Sequence, residues 1–111
     1  MEKSRRVKKS QDFEKIIKKR KSVANKAFVL YYDPSSSPLR VGISVSKKLG
    51  KAHVRNKIKR QVRMMVHDGF DFDQNCDYII IVRNKYLDGS YEDNKKLLIS
   101  LYKKTLKRME K

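Results

Sequence analysis

Residues 40–63, RVGISVSKKLGKAHVRNKIKRQVR, decide the architecture of this chain, because the hydrophobic period changes inside them. Over residues 39–46, Leu39, Val41, Ile43 and Val45 alternate with Arg40, Gly42, Ser44 and Ser46, the signature of a strand with one buried face. From Val54 the spacing becomes helical: at about 100° per residue, Val54, Ile58, Val62 and Met65 share one side. The other side carries Arg55, Asn56, Lys59, Arg60 and Arg63, with no acid among them. Between strand and helix, Lys47, Lys48 and Gly50 form a corner beside the helix N-terminus, where free backbone N–H groups also favour anions.

Reading outward adds the remaining elements. Ser10 is a good N-cap with Asp12 in the first turn, and Phe13, Ile16 and Ile17 recur at helical spacing within residues 10–21. Residues 26–32, KAFVLYY, are rich in aromatic and β-branched side chains and read as a strand. The Pro- and Ser-rich turn at 33–38 then predicts a hairpin with the strand at 39–46. The helix from Val54 should stop near Asp68 and Gly69. Residues 77–82, DYIIIV, are a continuous apolar run, expected of an interior strand covered on both faces. Ser90 and Asp93 have capping spacing, after which Leu97, Leu98, Leu101, Tyr102, Leu106 and Met109 continue as a helix. The expected order is α-β-β-α-β-α in a single small two-layer α+β domain spanning residues 1–111. Residues 1–9 read as a basic arm, ordered or disordered before a partner binds.

Charge narrows the partner. The 111 residues hold 29 Lys and Arg against 12 Asp and Glu, a net charge of +17. Residues 1–26 carry eleven basic and three acidic side chains, and residues 40–63 carry nine basic and none acidic. Residues 64–77 reverse the sign with Asp68, Asp71, Asp73 and Asp77. A basic face with an acidic edge points to a dense polyanion, and nucleic acid fits better than a small acidic substrate or a membrane surface. The apolar runs are too short to span a bilayer, no apolar signal region follows the basic start, and Cys76 is alone; a cytoplasmic protein is expected.

Side-chain catalysis finds little material. The histidines are His53 and His67, the thiol is Cys76, and neither Ser44 nor Ser46 has a base suggested beside it. The acidic stretch 71–77 lacks the glycine and terminal glutamate of a calcium loop, and no zinc spacing or phosphate-loop motif occurs, so no side-chain metal site and no small-molecule substrate are expected. A helix face normally mixes signs to gain i,i+4 pairs; a single-sign face is stabilised by a polyanion. On that ground Arg55, Asn56, Lys59, Arg60 and Arg63 are read as RNA or DNA contacts. Phe13 and Tyr31 offer a second surface on which unpaired bases could stack, with burial in the core as the alternative.

The string at 40–63, with its KKLGKAHVRNKIKR segment, closely resembles the signature of the bacterial ribonuclease P protein subunit. The resemblance extends to Phe13, to SVAN at 22–25, to FVLY at 28–31, to YIIIVR at 78–83 and to the terminal helix. It implies a cytoplasmic protein that binds a large catalytic RNA and helps it remove the 5′ leader of precursor tRNA, the cleavage being the RNA's with magnesium. It further implies that Lys47, Lys48, Arg55, Asn56, Lys59, Arg60 and Arg63 face the catalytic RNA. A cleft between the first helix and the sheet, including Phe13, Ile17 and Tyr31, would hold the leader. The implied fold is similar to the ribosomal protein S5 domain 2-like class, with a left-handed β-α-β crossover. Two positions depart from the pattern: Ile17 stands where an aromatic residue often lines the cleft, and Arg20 where a glycine commonly ends the first helix. Competing readings are a general RNA-binding structural protein, a nuclease using the Asp68–Asp77 group, and a DNA-binding module.

Overall fold

The central apolar strand organises everything else. In the computed structural model, which describes residues 5–7 and 10–110, β4 (Cys76–Val82) lies inside a four-stranded sheet of order β1-β2-β4-β3. The other strands are β1 (Ser22–Ala24), β2 (Phe28–Pro34) and β3 (Arg40–Val45). The helices are α1 (Ser10–Lys18), α2 (Ala52–Gly69) and α3 (Tyr91–Met109). β1 is absent from the expected order; with three residues and one buried side chain, Val23, it is too short for a period to show.

The expected hairpin between the second and third strands does not form. β4 sits between them, antiparallel to β2 with Leu30 opposite Ile80, and parallel to β3 with Ile43 opposite Ile80. An apolar run of this length is most stable where both edges are paired and both faces covered. The linker at residues 35–39 has only to cross one intervening strand, about 10 Å, and five residues reach further than that. The sheet's hairpin is instead β1–β2, where Asn25 Oδ1 accepts from the amides of Ala27 and Phe28 at 3.1 and 3.0 Å.

Alternation along the strands divides the core between two faces. Phe28, Leu30, Tyr78, Ile80 and Val41 point to one face, where Ile58, Val62 and Met65 of α2 and Leu98, Leu101 and Tyr102 of α3 cover them. The opposite face of β4 presents Ile79, which packs with Ile16 of α1 and Val7. Thus the two-layer body of sheet against α2 and α3 carries the short α1 on its reverse side, and 77–82 is covered on both faces as its composition requires.

Helix boundaries shift by small amounts. Ser10, expected as the cap, is itself the first residue of α1, and α2 starts two residues earlier than Val54. Ser90 caps α3, its side chain accepting from the Asp93 amide at 3.1 Å. α1 ends at Lys18 rather than 21, because Arg20 adopts φ 57° and turns the chain out of the helix. That conformation costs an L-residue about 1 kcal/mol and glycine almost nothing. Arg20→Gly is therefore expected to stabilise the fold by about 1 kcal/mol in urea denaturation. A loss of stability instead would show that Arg20 holds the fold through its side chain.

Part of the basic arm is built into the fold. Val7 donates its amide to the Val41 carbonyl at 3.2 Å, and Arg6 forms a parallel bridge to Val41 at the free edge of β3. Arg5 donates to the Phe72 carbonyl at 2.9 Å and lies 5.2 Å over the Phe72 ring. Residues 1–4 and 8–9 of the arm lie outside the described residues.

Candidate nucleic-acid interface

α2 turns its apolar stripe to the sheet, which fixes where its cations go. With Ile58, Val62, Met65 and Val66 buried, Arg55, Lys59 and Arg63 are half buried along one flank, and Asn56 and Arg60 are exposed. His53, Asn56, Lys59, Arg60 and Arg63 line one shallow depression. Lys59 and Arg63 also line a second one, shared with Arg6, Val7 and residues 41–43 of β3. The basic face thus looks past the free edge of β3, away from α3.

Among the described residues, Lys59, Arg60 and Arg63 have no carboxylate within salt-bridge distance. Partial burial, and then the neighbouring Arg6, press Arg63 below its ordinary pKa, so positive charge is crowded at this flank. Arg55 differs: its Nε donates to the Gly50 carbonyl at 3.3 Å, which ties the helix to the preceding corner.

That corner is a single 3-10 turn, Lys47–Leu49. Ser46 Oγ accepts from the Lys48 amide at 3.2 Å, and Leu49 is buried, so Lys47 and Lys48 are held outward. Gly50 follows with φ 141°, which a side chain would strain. Lys51 stands at the cap position before α2 and makes no side-chain cap, and the first turn holds no acid, leaving amides free for an anion.

The second predicted surface is assembled only in part. Phe13 and Tyr31 are half buried and pack with Ile81 against Ile16, Ile79 and Val7. Ile17 is half buried but falls outside that cluster. The floor under Phe13 is Gly42: a Cβ there would stand 2.6 Å from Phe13 Cζ and 2.8 Å from Ile79 Cδ1. A glycine within an otherwise β-branched strand is the signal for such a close approach. At one end of the surface, Arg40 donates to both carboxylate oxygens of Asp77 at 3.1 and 2.9 Å and lies 4.0 Å from Asp12 of α1. The hydrogen bond that Arg40 donates to Asp77 raises Arg40 above its ordinary pKa against the cost of burial, with Asp12 adding to the effect. This bridge fixes α1 over the sheet; the sequence order of the three residues holds no sign of it.

The acidic stretch does not converge. Asp77 is bound to Arg40, Asp68 pairs with Lys95 at 3.2 Å, and Asp71 Oδ1 accepts from the Asp73 amide at 3.0 Å. Among the described residues, no three His, Cys, Asp or Glu side chains gather where they could hold a metal. No helix among them is long and apolar enough to cross a membrane. Burial pushes the Cys76 thiol up to about 11, away from nucleophilic use near neutral pH.

Fold and surfaces together define a class: a small, strongly basic α+β protein with a cationic helix at one sheet edge and an aromatic cluster under a short helix on the reverse face. Comparison with known proteins makes this specific. The family model described as Ribonuclease P matches residues 1–106. The "Ribonuclease P protein component" of Bacillus velezensis is 46% identical, over 95% of this chain and 92% of that protein. The solved RNase P protein of Staphylococcus aureus superposes with a TM-score of 0.84 at 39% identity, covering 93% of this chain and 96% of that one. The RNase P protein from Thermotoga maritima gives a TM-score of 0.74 at 30% identity, over 86% and 94% of the two chains. The chain belongs to the ribonuclease P protein family, and its role lies in tRNA 5′-end processing.

Proposed function

We propose that this chain is the protein subunit that holds the ribonuclease P catalytic RNA through α2 and the preceding corner, and holds the precursor leader in the cleft under α1. The observation that carries the reading is the single-sign face of Lys59, Arg60 and Arg63, which has no carboxylate within salt-bridge distance among the described residues and whose Lys59 and Arg63 are half sunk beside Arg6; phosphates stabilise such a face. Arg forks and the Asn56 amide add directed donors there, while Lys47 and Lys48 extend the charge around the corner. Phe13 and Tyr31 supply half-exposed rings for unpaired leader bases. Magnesium and bond cleavage belong to the RNA in this reading; the protein binds, orients and lowers the electrostatic cost of bringing two RNAs together. The cytoplasm is the compartment it implies.

The experiment is 5′-leader cleavage of precursor tRNA at low magnesium by a bacterial ribonuclease P RNA, with and without this protein, beside a protein-only control. Stimulation only in the presence of the RNA is the expected result. Tight, salt-sensitive RNA binding without stimulation would favour a structural RNA-binding protein, and cleavage by the protein alone would return the acidic group to consideration.

The cleft has its own test. Phe13→Ala is expected to weaken binding of precursor tRNA by about 1 to 3 kcal/mol, the worth of one stacked base, and to leave mature tRNA nearly unaffected. Gly42→Val, which evicts Phe13 without removing it, is expected to show the same selectivity. Equal losses on both RNAs would remove the leader role from this surface.

A further inference from the structure

α3 carries a second cationic surface that the reading above leaves unused. From residue 94 to residue 109 the helix holds Lys95, Lys96, Lys103, Lys104, Lys107 and Arg108 and no acid. At about 100° per residue, Lys96, Ser100, Lys103 and Lys107 fall within about 60° of one another. They lie opposite Asn94, Leu98, Leu101 and Thr105, which are buried. One open groove runs along this face as far as Lys107; Glu92, in the first turn of α3, is the one acid among the described residues that line it, at the end beside Lys96. The flanking depressions are mixed in sign: Lys96 also borders one with Lys26 and with Lys85, which pairs with Asp88 at 3.6 Å, and Lys107 borders one with Lys21, Arg108 and Glu110, so the uniform run of cations is that of α3 from Lys95 to Arg108.

Among the described residues, Lys95 is the α3 lysine with a carboxylate partner, Asp68. The helix dipole accounts for Lys107 and Arg108 in the last turn, but not for Lys96 near the start. Nor is this surface a continuation of the α2 face. α3 packs over β1 and β2, at the far side of the sheet from β3, and α2 meets it through its opposite flank, where Asp68 pairs with Lys95.

We propose that the solvent face of α3 is a second phosphate-binding track, which takes the backbone of an RNA duplex without reading its sequence. The residue types determine the occupant. Lysines are point charges that neutralise phosphates, and the face offers no exposed ring for stacking and no exposed amide for a base edge, as single-strand or sequence-specific recognition would require. A straight helix presents Lys96 and Lys107 about 16 Å apart, a rigid row suited to a rigid duplex. The choice of RNA over DNA rests on the function proposed above; the track itself does not.

The test is the number of short RNA duplexes, unrelated to tRNA, bound per chain in sedimentation at moderate salt. Wild type is expected to bind two. The triple variant Lys96→Gln, Lys103→Gln, Lys107→Gln is expected to bind one, with its native circular dichroism retained. The corresponding Lys→Arg triple should still bind two. A Lys59→Gln, Arg60→Gln, Arg63→Gln chain should keep the α3 duplex alone; leader cleavage by that variant reads the earlier proposal, and its stoichiometry reads this one. A wild-type count of one, an unchanged count in the α3 glutamine variant, or capture of anionic phospholipid vesicles in place of duplex by the α3 lysines would overturn the proposal.

Discussion

Replacing Lys59, Arg60 and Arg63 together by glutamine is expected to lower affinity for the ribonuclease P RNA by orders of magnitude while leaving the fold intact. Each phosphate contact contributes about 0.9 to the slope of log affinity against log salt on a duplex, so three lost contacts should flatten the slope by between two and three, roughly. Stability should not fall, because these side chains have no carboxylate partners among the described residues and Arg63 is already disfavoured by burial and by Arg6. Filter binding across a salt series, beside a thermal melt, separates the two effects. An unchanged slope would remove α2 from the interface, whereas a collapsed melt would make it a structural helix.

The second large effect concerns Tyr102, where the core meets the acidic loop. Its ring stacks on Phe70 at 4.0 Å between centroids and leans on Tyr78 at 5.6 Å. Its hydroxyl accepts from the Asp71 amide at 2.9 Å and donates to Gln74 Oε1 at 2.7 Å. Tyr102→Ala should cost about 3 to 5 kcal/mol through lost packing and the cavity left behind, a large part of the stability of a domain this small. Tyr102→Phe keeps the ring and removes one hydroxyl, so about 1 to 2 kcal/mol is expected. Urea unfolding of the two variants measures both, and similar losses would place the energy in the hydroxyl network.

Much of this was readable from the chain because it depends on local period and charge. The strand read at 39–46 occurs as Arg40–Val45, although Gly42, read onto its open face, is buried under Phe13; the helical spacing at 54–65 occurs as read, and the single sign of the α2 face needed no coordinates. So did the cap at Ser90 and the two-sided burial of DYIIIV. The hairpin failed for a non-local reason: a strong turn between two strands does not determine their pairing when a more apolar strand later in the chain takes the place between them. β1 was invisible because three residues are too few to show a period, and the docking of Arg6 and Val7 because it depends on an edge, at Val41, distant in sequence.

By itself, then, the sequence determined the kinds of element, the apolar face of each and a net charge of +17 that calls for a polyanion, since side-chain chemistry and local spacing are written residue by residue. Tertiary structure alone decided that β4 separates β2 from β3, that Gly42 makes room for Phe13, and that Arg6 comes to stand beside Arg63. Those are choices among distant partners, made by competition for burial and for paired edges across the whole molecule, and no local pattern encodes the winner.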